Sequence, residues 1–468
     1  MDKGIQKIHL IAVCGTGMGA LACMLQELGF TVTGSDHKVY PPMSTFLESK
    51  GIKIFDGFSS ENIAYNKPDL VIVGNAIRKD NPEVLKTKEM GINFCSMPQA
   101  LNAFIAVDKK PILITGTHGK TTTSSLFAWM LYKANLDPTF FIGGILKNFN
   151  SNYRLGKGKY IVIEGDEYDT AFFDKGPKFL HYNPDITIIT SIEFDHADIY
   201  SNIDSIKAAF KSLVSKLPKD KIILGFDSDS NISEILKNNE SKIFFYGKDN
   251  ESDWRIDNIK INNTWTLFEV FRNKESLGTF KSKMMGEHNI LNALSVIAGC
   301  YNLNISVDII KSALETFEGV KRRQEIRGVV NEITVMDDFA HHPTAVRETI
   351  KAVKPFYNQG RLIAVFEPRT NSSMRNIFQD VYPLSFDGAD IICIRKPPLL
   401  EKIPINERIS SENMVINMQN IGKKAFHFDD TDSIIEFLST QAKPNDVILI
   451  MSNGGFDNIH QRLIERLS

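Results

Sequence analysis

Several things are scarce in this chain of 468 residues. It has 5 cysteines, at positions 14, 23, 95, 300 and 393, an odd number with no C-x-x-C pair. That usage predicts neither a disulfide framework nor a structural zinc site, and it fits a reducing, cytoplasmic compartment. Net charge is almost absent: 54 Lys and Arg stand against 56 Asp and Glu. A polybasic nucleic-acid coat or membrane binder is therefore not expected, although local basic pockets are still allowed. Apolar runs of about 18 residues, the length of a membrane-spanning helix, are missing. The nearest approach is IHLIAVCGTGMGALACML behind Lys3 and Lys7, which has the flanks of a secretion signal, but G-T-G-M-G breaks its apolar core. There is no repeat period and no low-complexity tract.

What is present suits a folded enzyme. With 43% hydrophobic and 24% charged residues, the chain can fill more than one core. At about 100–200 residues per domain, its length predicts two to four domains. Continuously apolar runs recur at 8–14, 69–74, 111–116, 159–165, 185–191, 221–226, 361–367, 389–394 and 446–452. Runs of this kind mark strands buried on both faces, as in parallel α/β sheets. Amphipathic stretches such as 122–136 and 342–356 predict helices between them. We expect boundaries near 108 and 320, giving domains 1–107, 108–319 and 320–468. The stretch 242–285, with Trp254, Trp265, Phe268 and Phe271, reads as an antiparallel insert.

Six segments carry chemistry. C-G-T-G-M-G at 14–19 follows a strand and opens a helix, where glycines let a diphosphate approach backbone amides; Gly15, Gly17 and Ala20 fit a loose dinucleotide-type fingerprint. Asp36 follows the next strand at the position where an acid can meet a ribose or base. T-G-T-H-G-K-T-T-T at 115–123 lies between a strand and a helix, which is strong phosphate-loop context. Its loop amides would cradle phosphates, Lys120 would neutralise their charge and Thr121 would reach magnesium. Glu164, Asp166, Glu167 and Asp169 cluster at a strand end, where Glu164 directly abuts the apolar run and suits a magnesium ligand. The other three acids fit a solvated loop as well. E-F-D-H-A-D at 193–198 ends another strand, and its three titratable groups raise His196 above the usual structural histidine. M-G-E-H-N-I-L-N-A at 285–293 puts His288 and Asn292 on one helix face, although polar helix caps explain that string alone. Finally, K-R-R at 321–323 precedes M-D-D-F-A-H-H-P at 336–343; there Arg323 suits a phosphate, Asp338 a ribose, and His341 or His342 a reacting phosphoryl group.

In this order, and over essentially the whole chain, the six segments resemble the Mur ligase family, ATP-dependent amide-bond-forming enzymes that build the peptidoglycan precursor. The likeness is closest to the muramyl ligases that act on UDP-N-acetylmuramate. Among these, V-Y-P-P-M-S-T at 39–45, E-G-D-E-Y-D-T-A-F-F-D-K at 164–175, E-F-D-H-A-D-I at 193–199, E-P-R-T-N-S at 367–372 and M-S-N-G-G-F at 451–456 resemble members that reattach a recovered tripeptide, L-alanyl-γ-D-glutamyl-meso-diaminopimelate. The alternative is the member that adds L-alanine, which typically carries E-A-D-E-S-D where this chain has Glu164 to Asp169. The resemblance implies three α/β domains: Rossmann-like, central P-loop-type ATPase, and a smaller Rossmann-like C-terminal domain that brings the amine and closes on ATP. It implies an acyl-phosphate route with ATP and Mg2+, small-molecule substrates, no nucleic acid or membrane, and a monomer or weak homo-oligomer. UDP would lie near Gly15, Gly17, Met18, Ser35, Asp36 and Asn75. ATP would lie near Gly116, His118, Gly119, Lys120, Thr121, Thr122, His288, Asn289, Asn292, Arg323 and Asp338. Thr121, Glu164 and His196 would hold metal, with Lys120, Glu164, His196 and His341 catalytic. Arg369, Ser452 and Asn453, at strand ends, would meet the peptide. Lys211 lies 15 residues beyond His196, and relatives often carbamylate such a lysine, but it is left outside the site because close muramyl ligases often lack it.

Overall fold

The computed structural model describes residues 4–37, 39 and 43–468, so part of the 39–45 string lies outside the described residues. The chain divides into two compact units. The first comprises residues 1–192, 204–254 and 295–313; the second comprises 193–203, 255–294 and 314–468.

The first unit opens with a parallel sheet of β1 (Lys7–Ile11), β2 (Thr31–Asp36), β3 (Lys53–Asp56), β4 (Leu70–Val73) and β5 (Asn93–Ser96), in the order β3-β2-β1-β4-β5. The apolar stretch 8–25, interrupted by glycines, is thus a strand, a turn and most of the helix Thr16–Glu27. One face of this sheet packs Ile11, Val71 and Val73 against Ile63, Ile77 and Val84.

The same unit holds β6 (Lys110–Thr115), β7 (Thr139–Leu146), β8 (Ser151–Arg154), β9 (Tyr160–Gly165), the small ribbon β10 (Asp169–Ala171) and β11 (Asp174–Pro177), then β12 (Ile186–Ile189), β13 (Ile222–Phe226) and β14 (Lys242–Gly247). Apart from the ribbon they run in the order β14-β13-β12-β6-β9-β7-β8, with every pairing parallel except β7 with β8. In this sheet the candidate loops leave the carboxyl ends of β6, β9 and β12, where a parallel α/β sheet presents its ligand contacts.

The second unit contains β15 (Trp254–Asn262, all but its first residue), β16 (Trp265–Arg272) and β17 (Glu275–Ser282), with β16 and β17 antiparallel. The expected antiparallel insert therefore begins later than residue 242. KIFFYG of β14 pairs with β13 in parallel instead, because its half-buried, unalternating run suits a parallel neighbour. A six-stranded sheet follows, made of β18 (Glu325–Val330), β19 (Ile333–Asp338), β20 (Leu362–Phe366), β21 (Ile391–Arg395), β22 (Ala425–Phe428) and β23 (Val447–Met451) in the order β18-β19-β23-β20-β21-β22. Alternate residues of its central strands feed two cores. Leu362, Ala364, Phe366, Leu449 and Met451 face one side, and Ile363, Val365, Ile448 and Ile450 the other. Burial on both faces is why these strands read as unbroken apolar runs.

Candidate active site

The loop from β6 to the helix Lys120–Lys133 is shaped by two glycines. Gly116 has φ +131 and Gly119, at the helix N-cap, has φ +81. A Cβ on Gly116 would lie 2.3 Å from Thr190 Oγ1 and 2.8 Å from the Ser191 nitrogen, so the loop is pressed against the end of β12. That contact is hydrogen-bonded: Thr117 N donates to Ser191 O at 2.9 Å, His118 N to Ser191 Oγ at 3.0 Å, and Thr190 Oγ1 to His118 O at 2.5 Å. Lys120 Nζ donates to Gly116 O at 2.5 Å and to both oxygens of Glu167, at 2.8 and 3.0 Å. Burial opposes the charge on Lys120, but Glu167, Asp166 and Glu164 outweigh it and raise its pKa. Burial likewise works against the ionised form of Asp166, yet Lys178 and Lys120 hold its carboxyl below the ordinary range. Thr121 Oγ1 donates to Glu164 Oε1 at 2.9 Å, and Gly143 N donates to Glu164 Oε2 at 2.8 Å. Thr122 follows, half-buried, in the first turn of the helix. A half-buried cation beside a hydroxyl paired with a carboxylate offers positive charge to a phosphate and oxygen ligands to magnesium. Glu167, only 2% exposed, is a partner that the sequence left open between a role and a solvated loop. Its three-residue spacing from Glu164 was the available signal.

In the N-terminal sheet the glycine loop is held from below. Ala12 and Val13 donate to Ser35 O at 2.8 and 3.1 Å, and Cys14 N donates to Asp36 Oδ2 at 2.8 Å. Asp36 thus grips the loop itself. The left-handed residue of the turn is Ala12, at φ 69, while Gly15 is extended, with φ −67 and ψ 144. Gly17 opens the helix with Met18 buried beside it. Ser35 is wholly buried and donates to Glu83 Oε2 at 2.6 Å. Glu83 also contacts His9 Nε2 at 3.3 Å and accepts from Asn62 Nδ2 at 2.6 Å. Burial would raise its pKa, but these hydrogen bonds and the His9 ring lower it. The sequence reading missed Glu83 and His9; N-P-E at 81–83, a capped helix start with a buried acid, was the signal. Asn75 is exposed and lines an open pocket of about 430 Å³ with Arg78, Lys79, Phe172 and Lys175.

The second unit gathers Glu193, Asp195, His196, His341 and His342. His196 adopts φ 55, and its N–H donates to Asp195 Oδ1 at 2.7 Å. His341 Nε2 lies 4.0 Å from Asp195 Oδ2, and His342 Nδ1 lies 3.7 Å from Glu193 Oε2. Burial opposes ionisation of Asp195, but His196, His341 and His342 together hold its carboxyl far below the usual range. His342 caps the helix Pro343–Val353 by accepting from Thr344 N, and Thr344 Oγ1 donates to Glu193 Oε2 at 2.7 Å. Asn289, in the helix that starts at Glu287, donates to Met285 O at 2.9 Å and Gln324 Oε1 at 3.2 Å; Asn292 donates to Asn289 Oδ1 at 3.5 Å, and His288 stands half-buried beside them. Asp338 accepts from Gln324 N and Ala340 N, both at 2.8 Å, and burial raises its pKa over the lowering by Arg323. The Arg323 guanidinium lies 4.8 Å from the centre of the Phe339 ring.

The strand-end residues of β20 and β23 form one group. Ser452 is buried and its hydroxyl donates to Glu367 Oε1 at 2.7 Å; Arg369 Nη1 reaches the same oxygen at 3.5 Å. Asn453 Oδ1 is buried with no hydrogen-bond partner. Arg322 Nη2 holds the backbone of this turn through Ser452 O at 2.6 Å and Gly454 O at 2.7 Å, and neither Arg322 nor Glu367 was singled out from the sequence.

A phosphate loop on a parallel sheet, a second glycine loop on its own sheet and a carboxylate–histidine group define an ATP-dependent ligase that forms C–N bonds, and the chain belongs to the Mur ligase family. The family's catalytic-domain description matches residues 7–109, its middle domain 114–300 and its glutamate ligase domain 322–454. The chain is 38% identical over 465 residues to UDP-N-acetylmuramate–L-alanyl-γ-D-glutamyl-meso-2,6-diaminoheptandioate ligase of Haemophilus influenzae, covering 99% of both proteins. It is 34% identical to UDP-N-acetylmuramate–L-alanine ligase of Acetivibrio thermocellus, covering 96% of this chain and 93% of the relative. Among solved structures it is similar to a murein peptide ligase from Psychrobacter arcticus, at 36% identity with TM-score 0.73 over 99% of this chain and 98% of the other. It is similar also to UDP-N-acetylmuramate–alanine ligase from Thermotoga maritima, at 26% identity with TM-score 0.82 over 98% of both. No helix among the described residues is long and apolar enough to cross a membrane.

Proposed function

We propose that this chain joins the lactyl carboxylate of UDP-N-acetylmuramate to the amine of L-alanyl-γ-D-glutamyl-meso-diaminopimelate. The observation that carries this reading is the 38% identity over nearly full length to a relative named for that reaction, against 34% to one named for alanine addition. E-G-D-E-Y-D at 164–169 supports the same choice. The backbone geometry does not separate the two, since the alanine ligase has the higher TM-score.

A carboxylate and an amine do not condense unaided at neutral pH, and ATP supplies the activation by phosphorylating the carboxylate. Most of the protein's contribution is then positioning and charge neutralisation. Lys120 is the cation for the transferred phosphoryl group, at the N-terminus of the helix Lys120–Lys133, while the Thr117 and His118 amides are taken by Ser191. Thr121 and Glu164 would hold magnesium, which neutralises phosphate charge, and His196 beside Asp195 is the candidate for a second ion. His341 would act on the reacting group; Asn289, Asn292, Arg323 and Asp338 would serve the nucleoside. Functional modules at 1–107, 108–319 and 320–468 would take UDP, ATP and the peptide respectively. The cysteine content supports a cytoplasmic setting.

The test is to incubate the protein with UDP-N-acetylmuramate, ATP and magnesium, offer L-alanine or the tripeptide, and read product masses. Strong preference for tripeptide is expected. Equal use of the two, or preference for alanine, refutes the assignment and restores alanine addition.

A further inference from the structure

Glu367 opens the E-P-R-T-N-S string without an assigned chemical role, yet it organises the strand ends that the proposed peptide site uses. It follows β20, between β23 and β21, and its side chain is fully buried. A carboxylate placed there without partners would be costly, so its contacts are informative. Its two oxygens are divided. Oε2 receives Arg395 Nη1, and the other arm of Arg395 is taken by Asp457 Oδ2 at 2.6 Å, which in turn accepts from Thr431 Oγ1 at 2.8 Å. Arg395 is thereby engaged at both ends and is itself buried.

Oε1 faces the other way. It accepts from Ser452 Oγ at 2.7 Å, and Ser452 Oγ accepts from Gly454 N at 2.9 Å, so Glu367 fixes the turn that carries Asn453. The same oxygen takes one long bond, 3.5 Å, from Arg369 Nη1. That is the only side-chain hydrogen bond of this guanidinium among the described residues, and Arg369 keeps 29% of its side chain in solvent. Its stem lies on Gly454, where a Cβ would stand 2.2 Å from Arg369 Cδ and 2.5 Å from Nε. Two guanidiniums thus flank one carboxylate. Arg395 is engaged through both Nη groups, with its buried Nε unpartnered, and Arg369 is aligned by a weak contact and a glycine floor with its remaining donors available. Asn453 adds a buried oxygen without a partner.

We infer that Glu367 is a positioning residue: it sets Arg369 and the Ser452–Gly454 turn in place to receive a carboxylate of the incoming peptide, and it touches no substrate itself. This rests on the peptide-site reading of Arg369 given above. Ser452 then acts through Glu367, and the groups that meet the peptide are Arg369, for a carboxylate, and Asn453 Oδ1, for an N–H donor such as an ammonium. A neutral side chain at 367 would leave Arg369 beside Arg395 with no anion between them, and the free guanidinium would swing off the Gly454 floor.

The experiment measures steady-state kinetics of wild type, Arg369→Ala, Glu367→Gln and Glu367→Asp, with the tripeptide and with tripeptides amidated at one carboxylate at a time. Glu367→Gln should raise the tripeptide KM roughly tenfold to a hundredfold, the scale of a lost charged hydrogen bond, with kcat and the KM for ATP within about twofold of wild type. Glu367→Asp keeps the charge that Arg395 requires but withdraws it by one methylene, so it should raise the tripeptide KM by less, and it gives the answer if the Gln variant does not fold. For the one amidated peptide that removes the carboxylate bound by Arg369, wild type and Glu367→Gln should have equal KM. If Arg369→Ala raises the tripeptide KM while both Glu367 variants match wild type, the positioning role is refuted and the peptide site stands. If Arg369→Ala itself changes nothing, the underlying site reading is refuted. Parallel changes in kcat and in the KM for ATP, or losses that persist with every amidated peptide, identify a purely structural residue and overturn the inference.

Discussion

Removing the Lys120 ammonium separates two things this side chain does. It is the proposed cation for the phosphates, and it is also the partner of a carboxylate with almost no access to water: Glu167 is 2% exposed and lies 2.8 Å from Nζ. Lys120→Met alone leaves that carboxylate buried without its cation, a defect of about 3–5 kcal/mol. Lost ligation in this variant would therefore be ambiguous between chemistry and folding. Lys120→Met with Glu167→Gln removes both charges at similar volume, which is close to neutral for stability when a buried pair is replaced together. Urea denaturation should show the single variant destabilised by about 3–5 kcal/mol and the double variant restored to within about 1 kcal/mol of wild type. Product formation should not return with the fold. Both variants should remain slower by roughly a hundredfold to a thousandfold, the scale of one lost electrostatic contact to a reacting group. Near wild-type ligation by the stable double variant would refute the assignment of Lys120 to the phosphates. Equal denaturation of single and double variants would refute the ion-pair argument.

Three further outcomes are expected. Gly116→Ala should abolish ATP binding, measured by calorimetry, because φ +131 and a Cβ 2.3 Å from Thr190 Oγ1 force the loop off β12; normal affinity would show that the loop tolerates a side chain. Glu83→Gln should destabilise the first unit by about 1–3 kcal/mol at neutral pH. Because the Glu83 pKa is lowered in the fold, that contribution is fully present above the ordinary carboxylate range and is lost as pH falls below that range and through the lowered native value, so denaturation curves of variant and wild type should converge only at pH below the native value; a constant gap would contradict this. Asp195→Asn should leave His196, His341 and His342 without their shared anion, so their proton NMR titrations should move to lower pH, and unmoved titrations would show that the carboxylate does not govern them.

Much of the architecture was legible because parallel sheets write themselves plainly. Runs such as RLIAVFE and DVILIMS are apolar without alternation since both faces of β20 and β23 are covered. The phosphate loop was legible because Gly-Lys-Thr at a strand-to-helix junction has few other uses. What escaped was the layer of partners beneath the motifs. Glu83 meets Ser35 across 48 residues, Glu167 meets Lys120 across 47, Glu367 meets Ser452 across 85 and Arg322 meets Gly454 across 132, and a carboxylate in a sequence does not reveal whether it is buried. Residue 242 was taken into the antiparallel insert because a mixed-burial strand and a hairpin strand share one composition; only pairing distinguishes them.

The Asp36 clamp bears on attempts to redesign what the N-terminal glycine loop accepts. In many nucleotide-binding folds, an acid at the end of the second strand is the dial that engineers turn to exchange one cofactor for another. Here that carboxylate is bolted to the loop, with one oxygen on the Cys14 amide and the other on the His37 amide. Swapping it would slacken the cradle before it altered the occupant. Retuning is better directed at Asn75, Arg78 and Lys79, whose exposed side chains stand at an open rim.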